Sequence, residues 1–291
     1  MSADHKTKMS VFFSDEAIAR LIQEDVPYLD LTTYGLGIGK QPGEIEFSTR
    51  HPMNICATEE AARVLKYCGA EVHYQVESGT VCQEKQLILQ ASGTAQALHS
   101  GWRVALNLME YASGIASRTR VLVDTAKTVN QSISIVTTRK CFPGTRALSI
   151  KAVLAGGGFF HRLGLSETVL IFNQHLIFLG GIVGLIERMN ELRRQFPEQH
   201  ICVEVDTPED AWMAAQAGVD LIQFDKIPLP DLEPLVLKLK QQYPNLKLAA
   251  AGGITSENIK DYASTGVGIL VTSSPYFGKP CDIAVKMRMA Q

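Results

Sequence analysis

Charged and hydroxyl-bearing residues gather where short apolar runs end. Arg139 and Lys140 follow "SIVTT", His161 and Arg162 follow the triple glycine Gly156–Gly157–Gly158, Glu204 and Asp206 close "ICVEVD", and Asp225 and Lys226 close "LIQFDK". Gly252 and Gly253 stand in "AGGITS", and Thr272 and Ser273 in "VTSSP". A guanidinium suits a carboxylate or phosphate because it donates two parallel hydrogen bonds. Glu204 and Asp225 want the opposite partner, such as ribose hydroxyls or Mg²⁺ shared with a phosphate. Paired glycines ahead of a helix expected near Ser256 offer backbone N–H groups to a phosphate. With Arg146 as a further candidate cation, these types suggest one anionic ligand. Singly, each has a plainer reading: a rim charge, a surface ion pair, a tight glycine turn, or, for His175, a hydrogen-bonded core histidine.

The elements that must position these groups are strands alternating with helices. After Asn130, strands are expected at Ser134–Thr137, Val169–Phe172, Ile201–Val205, Leu221–Phe224, Lys247–Ala251 and Gly268–Val271. Helices are expected near Ala147–Leu154, Val183–Gln195, Glu209–Gln216, Leu232–Lys240 and Ser256–Ala263. Such alternation implies parallel strands. Six units in this length fall short of the roughly 250 residues of a complete eight-unit barrel, so the barrel is incomplete. Polar residues just past the strand ends then face the site. Before it, a helix over 14–26 capped by Ser14, apolar runs at Glu44–Thr49, Ile55–Ala57, Val72–Val76 and Gln86–Ala91, and a helix at Glu59–Cys68 describe a small α+β domain. From Thr94 to Val129 two helices are expected, separated at Gly114.

The whole chain has 291 residues, 46% apolar and 20% charged, with 30 acidic against 28 basic side chains. That length makes one or two domains. A net charge of −2 argues against a surface built to hold many nucleic-acid phosphates. The opening "MSADHKTKMSV" lacks the apolar stretch of a secretory signal, so a cytoplasmic location is expected. Leu176–Ile186, the most apolar run, is too short for the roughly 20 residues of a membrane span and reads as a buried element. The six cysteines lack metal-ligand spacing and read as reduced thiols.

Several stretches together carry a family resemblance: "EDVPYLDLTT" at 24–33, "RVALNLMEYASGIASRT" at 103–119, "TTRKCFPGTRAL" at 137–148, "AVLAGGGFFHRLGLSE" at 152–167, "VEVD" at 203–206 and "AGGIT" at 251–255 with "YASTGV" at 262–267. The chain resembles the quinolinate phosphoribosyltransferases, or nicotinate-nucleotide pyrophosphorylases, nearly end to end. The resemblance implies an N-terminal α/β sandwich over 1–115, to which 275–291 returns, and an open α/β barrel of about six strands over 116–274. It implies a homodimer in which Arg103 crosses into the neighbouring site. Arg139, Lys140, His161 and Arg162 would hold pyridine carboxylates or the pyrophosphate of phosphoribosyl pyrophosphate. Glu204 and Asp225 would face the ribose and its Mg²⁺, with Lys140 a third catalytic group. Gly252, Gly253, Thr272 and Ser273 would take the 5′-phosphate.

Departures from the family pattern narrow this. "LIFNQH" stands where "LIKDNH" is usual, placing Phe172 at an anion-binding lysine's position; "SIK" replaces "EKY", ending at Lys151; Ala251 replaces a serine. Losing a cation disfavours a dianionic ring acid, while Phe172 suits a flatter, less charged one. This pattern is similar to the ModD subgroup, whose name associates it with molybdenum transport. Three readings follow: a ModD-like phosphoribosyltransferase acting on a heterocycle with Mg²⁺, a true carboxylating quinolinate enzyme, or a catalytically silent protein that binds molybdate or a nucleotide.

Overall fold

A computed structural model describes residues 11–290; the opening segment read above for targeting lies, up to residue 10, outside the described residues. The chain divides into two compact units, Met1–Arg120 with Phe142–Gly157 and Pro275–Gln291, and Val121–Cys141 with Gly158–Ser274.

In the first unit α1 (Asp15–Asp25) starts at Ser14, whose hydroxyl accepts from the Ala17 N–H, and buries Ile18 and Ile22. Asp30 caps the short α2 (Leu31–Gly35). The strand β1 (Pro42–Thr49) buries alternate residues, with Ile45 and Phe47 inward. With β3 (Glu71–Gln75), β5 (Leu87–Thr94) and the C-terminal β13 (Ile283–Met289) it forms an antiparallel sheet in the order β13-β1-β5-β3. The apolar run at Ile55–Ala57 is not a strand: β2 (Met53–Asn54) pairs β4 (Val81–Cys82) just upstream, and Ala57 turns into a left-handed conformation that ends extended chain and starts α3 (Thr58–Tyr67).

The two helices expected around Gly114 are one, α4 (Ala95–Lys127), 33 residues long. Gly114 does not break it. A Cβ there would stand 3.0 Å from the Lys279 carbonyl oxygen, so this glycine admits the returning C-terminal segment against the helix. Arg118, one turn on, donates to the carbonyls of Pro275 and Lys279. The helix α5 (Arg146–Ala155) also belongs to this unit, with Ala152 in its core. Gly156 closes α5 where a Cβ would come 2.5 Å from the Ala116 carbonyl oxygen of α4. The first glycine of the triple therefore serves helix packing.

The second unit holds a parallel sheet of seven strands in the order β7-β6-β12-β11-β10-β9-β8, an open half-barrel. Its strands are β6 (Ser134–Thr137), β7 (Phe159–Phe160), β8 (Val169–Ile171), β9 (Ile201–Val205), β10 (Leu221–Asp225), β11 (Lys247–Ala251) and β12 (Ile269–Thr272). The edge strand β7 adds one to the six expected. Between them run α6 (Asn173–Leu176), α7 (Ile182–Gln195), α8 (Pro208–Gln216), α9 (Leu229–Gln242) and α10 (Ile259–Ser264). Strand alternation separates two faces. Ile135, Val203, Ile222, Phe224 and Leu270 bury against helix residues such as Leu185 and Leu239. Val136, Leu170, Cys202, Ala249 and Val271 form a smaller apolar layer on the inner face.

The Leu176–Ile186 run is amphipathic rather than buried. Leu176, Ile182 and Leu185 enter the core, but Ile177 and Phe178 are exposed, because two glycines interrupt it between α6 and α7. Among the described residues no helix is long and apolar enough to cross a membrane. All six cysteines are free.

Candidate active site

Register decides which polar groups meet. Gln223 of β10 lies level with Glu204 of β9 and Ala249 of β11, and Asp225 lies level with Ala251. Level residues in a parallel sheet share a face, so Glu204, Gln223 and Asp225 rise from the inner apolar layer, and the two alanines beside them leave space above it.

Gln223 is 4% exposed and its Nε2 donates to Glu204 Oε2 at 2.5 Å. Burial pushes the Glu204 carboxyl above its usual range; the Asp225 charge adds to this, while Gln223, Lys140 and Lys226 oppose it. Lys226 adopts φ +57°, donates its N–H to the Ala251 carbonyl, and holds Nζ 3.7 Å from Asp225 Oδ2. Gly252 lies against this pair: a Cβ there would stand 2.6 Å from Asp225 Oδ1 and 2.4 Å from Lys226 Cγ.

The cations come from the β6–β7 edge. The His161 N–H donates to the Thr137 carbonyl, fixing the chain just past β7. Burial lowers the His161 pKa, and the Arg162 charge lowers it further, while the Gln223 side chain works the other way. Arg162 is buried, and its guanidinium lies 5.4 Å from the centre of the Phe172 ring. Burial and the nearby Arg139 charge lower its pKa. On Phe172 stacks His175, ring centres 5.6 Å apart, and His175 Nδ1 accepts from the Phe172 N–H at 3.0 Å. His175 is hydrogen-bonded as expected but exposed, a turn-former outside the core.

The glycine loop differs from expectation. The helix after it starts at Ile259, three residues late, and is six residues long, because Asn258 first closes the loop by accepting from the Thr255 N–H and donating to the Gly253 carbonyl. Gly252 and Gly253 both have positive φ. Thr272 Oγ1 donates to the Ile254 carbonyl and accepts from the Ser274 N–H, so its hydroxyl ties the last two strand-end loops together, with Ser273 half-buried between.

Glu204, Asp225, Lys140, His161, Arg162, Arg139 and Phe172 therefore all belong to the second unit, at the carboxyl end of its strands. Arg103 belongs to the first, exposed on α4 with its guanidinium 4.0 Å over the Trp102 ring. Near it Asp30, Thr33, Leu36 and His99 line a hollow of about 640 Å³. Arg146 opens α5 in the first unit. Sequence reasoning passed over Gln223, although a polar residue on the inward phase of "LIQFD" is the signal that finds it.

Among the described residues no group of three or more His, Cys, Asp or Glu could cage a metal. Mg²⁺ commonly takes one or two carboxylates together with substrate phosphates and water. Glu204 and Asp225 fit that mode, since a cation between them would relieve the repulsion that helps raise the Glu204 pKa.

The second unit is an open parallel half-barrel that gathers carboxylates and arginines at the carboxyl ends of its strands, an arrangement suited to a charged phosphate ester. Residues 30–113 match the N-terminal domain of quinolinate phosphoribosyl transferase and residues 115–286 its C-terminal domain. The chain belongs to the quinolinate phosphoribosyltransferase family. It is 42% identical over 244 residues (84% of this chain, 93% of the relative) to "Putative pyrophosphorylase ModD" of Rhodobacter capsulatus. It is 30% identical over 287 residues (94% and 98%) to the "Probable nicotinate-nucleotide pyrophosphorylase [carboxylating]" of Methanothermobacter thermautotrophicus. In fold it is similar to NadC from Streptococcus pyogenes, with TM-score 0.88 at 23% identity over 97% of this chain and all of the other. The chain is thus a phosphoribosyltransferase of the ModD-like pyrophosphorylase type.

Proposed function

We propose that the inner face of the half-barrel binds phosphoribosyl pyrophosphate with Mg²⁺ and a planar heterocyclic acceptor, and transfers phosphoribosyl to the acceptor with loss of pyrophosphate. One observation carries the reading: Glu204 and Asp225 stand on β9 and β10, with Arg139 and Arg162 at the β6–β7 edge of the same sheet. As the bond from ribose C1 to pyrophosphate breaks, positive charge develops on C1 and negative charge on the leaving group. Glu204 and Asp225 stabilise the first; Arg139, Lys140 and Arg162 the second. Positioning and electrostatics suffice without a covalent nucleophile. Mg²⁺, held by Glu204 and Asp225, would neutralise the phosphate oxygens. The loops at Gly252–Gly253 and Thr272–Ser273 take the 5′-phosphate through backbone N–H groups, since the Thr272 hydroxyl is already engaged. Phe172 and His161 face the acceptor.

The working form in this reading is a cytoplasmic homodimer in which Arg103 completes the neighbouring site. The test is pyrophosphate release from phosphoribosyl pyrophosphate and Mg²⁺ across a panel of heterocycles. Release that Glu204→Ala abolishes supports the reading and rules out a silent molybdate- or nucleotide-binding role; no release with any heterocycle from a folded dimer overturns it. A second reading, a carboxylating enzyme for quinolinate, draws on the retained arginine pair and on the names of the more distant relatives. It requires nicotinate mononucleotide and carbon dioxide as products.

A further inference from the structure

Gln223 is a buried polar side chain satisfied on one side only. Its Nε2 donates to Glu204, and its Oε1 is fully buried without a hydrogen-bond partner among the described residues. With Glu204 ionised the amide cannot be turned round: a carboxylate only accepts, so the nitrogen must face Glu204 and the oxygen must face away. An unmet buried acceptor is costly in a strand whose other buried residues, Leu221, Ile222 and Phe224, are apolar. The neighbour able to meet it is His161, close enough that the Gln223 side chain favours its charged ring. The His161 backbone is pinned to Thr137. A ring N–H of His161 turned toward Gln223 Oε1 would satisfy it.

We infer that Gln223 is a positioning residue: its Oε1 fixes the His161 ring with the proton on the nitrogen that faces it, leaving the lone pair of the other nitrogen for the ligand. Gln223 Oε1 can only accept, so the facing nitrogen must donate. A neutral imidazole has one N–H, so the second nitrogen is a bare acceptor. Burial first, and then the charge of Arg162 next in the chain, favour the neutral ring of His161. The strand position therefore converts a residue that could have been a cation into a hydrogen-bond acceptor.

This names a substrate class, and it rests on the phosphoribosyl-transfer reading for what occupies the site. The group of the acceptor that meets His161 donates a hydrogen bond: a ring N–H, a carboxamide or a hydroxyl. A second carboxylate there would meet a lone pair. Phe172 agrees, because it brings an apolar ring held between Arg162 and His175 contacts in place of a further charge.

The deciding measurement is nitrogen-15 NMR of the His161 ring in the full-length, unliganded chain at pH 7.5, with the signal assigned by its loss in His161→Ala. The expected spectrum shows separate protonated and bare ring nitrogens in the wild type. In Gln223→Met, of similar length but without the oxygen, the two move toward their mean. Averaged nitrogens in the wild type overturn the inference, as does an unmoved pair in a Gln223→Met chain folded by circular dichroism; the wild-type spectrum decides alone if that variant does not fold. A second arm compares heterocycles matched except for carboxamide against carboxylate. Wild type should favour the carboxamide by about tenfold in kcat/KM, the scale of one hydrogen bond, and Gln223→Met should erase that preference. A carboxylate preference overturns the substrate class. Failure of all heterocycles to release pyrophosphate strikes the phosphoribosyl reading, while the NMR result still decides the state of the ring.

Discussion

Glu59 and Glu60 in the first unit, and Glu204 and Asp225 in the second, are each a pair of neighbouring carboxylates, and the two pairs are treated oppositely. In the first, Lys151 Nζ donates to Glu59 Oε2 at 2.9 Å and Glu60 Oε2 at 2.5 Å. The Ser78 N–H and hydroxyl also bond Glu59. Burial alone would raise the Glu59 pKa, but these donors outweigh it and hold the carboxyl at about 2. In the second, burial wins and Glu204 is raised. Its neighbours include one amide, Gln223, and two lysines, Lys140 and Lys226, both with exposed side chains. The first pair is complete within the chain; the second has acceptor capacity to spare. A buried charge that the fold does not satisfy is one that a ligand can.

Breaking the complete cluster should have the largest effect. Lys151 is 13% exposed at its side chain and Glu60 5%. Lys151→Ala leaves two carboxylates facing each other without their cation, and should cost ~3–5 kcal/mol in urea unfolding. This residue replaces the last of "EKY" in the family pattern, and its partners show its work to be structural. A loss under about 1 kcal/mol would remove the distinction drawn between the pairs.

Next comes the less fully satisfied pair. Glu204→Ala should lower kcat/KM for pyrophosphate release by about 10²–10³, while thermal unfolding shows the midpoint held or raised, because a carboxyl that the fold strains has gone. A large fall in the midpoint would mean that Glu204, like Glu59, is a structural charge.

Gly252→Ala tests the packing that holds Asp225 and Lys226 together. The new Cβ would collide with both side chains, and φ is +90°, so ~1–2 kcal/mol of stability should be lost. Gly253→Ala, with open space around its Cβ, should lose less.

Much of the second unit was legible because its strands are short apolar runs flanked by helical spacing: β6, β9 and β11 fall on the residues read from the sequence. What escaped was set by packing at a distance. Gly114 looks like a helix break in isolation, and only the returning Lys279–Pro280 segment explains it. Gly156 looks like part of a ligand loop until α4 is laid beside it. The late start of α10 depends on Asn258 closing the loop with its side chain, which periodicity does not register. The site was legible as residue types at strand ends. Gln223 was not singled out, because a search for charges passes over an amide whose importance lies in the partner it lacks.

The smallest predicted effect separates the two pairs by the sign of their pH dependence. Glu59, depressed when folded, contributes stability that is present above the unfolded value near 4.5 and is lost as pH falls toward about 2. Glu204, raised when folded, acts the other way. Its protonated form is favoured by the fold, so its contribution is present below the ordinary glutamate value and is lost as pH rises through the raised one. Glu204→Gln keeps an acceptor for the Gln223 amide but cannot ionise. Compared with wild type, its melting temperature should be higher at pH 7 to 8, and the gap should close as pH falls below about 4. Glu59→Gln should be less stable than wild type at neutral pH, with that gap also closing in acid. Differential scanning calorimetry of the three chains across pH 3 to 8 reads both signs at once. Two gaps of the same sign would show that the difference in hydrogen-bond supply does not govern these carboxylates.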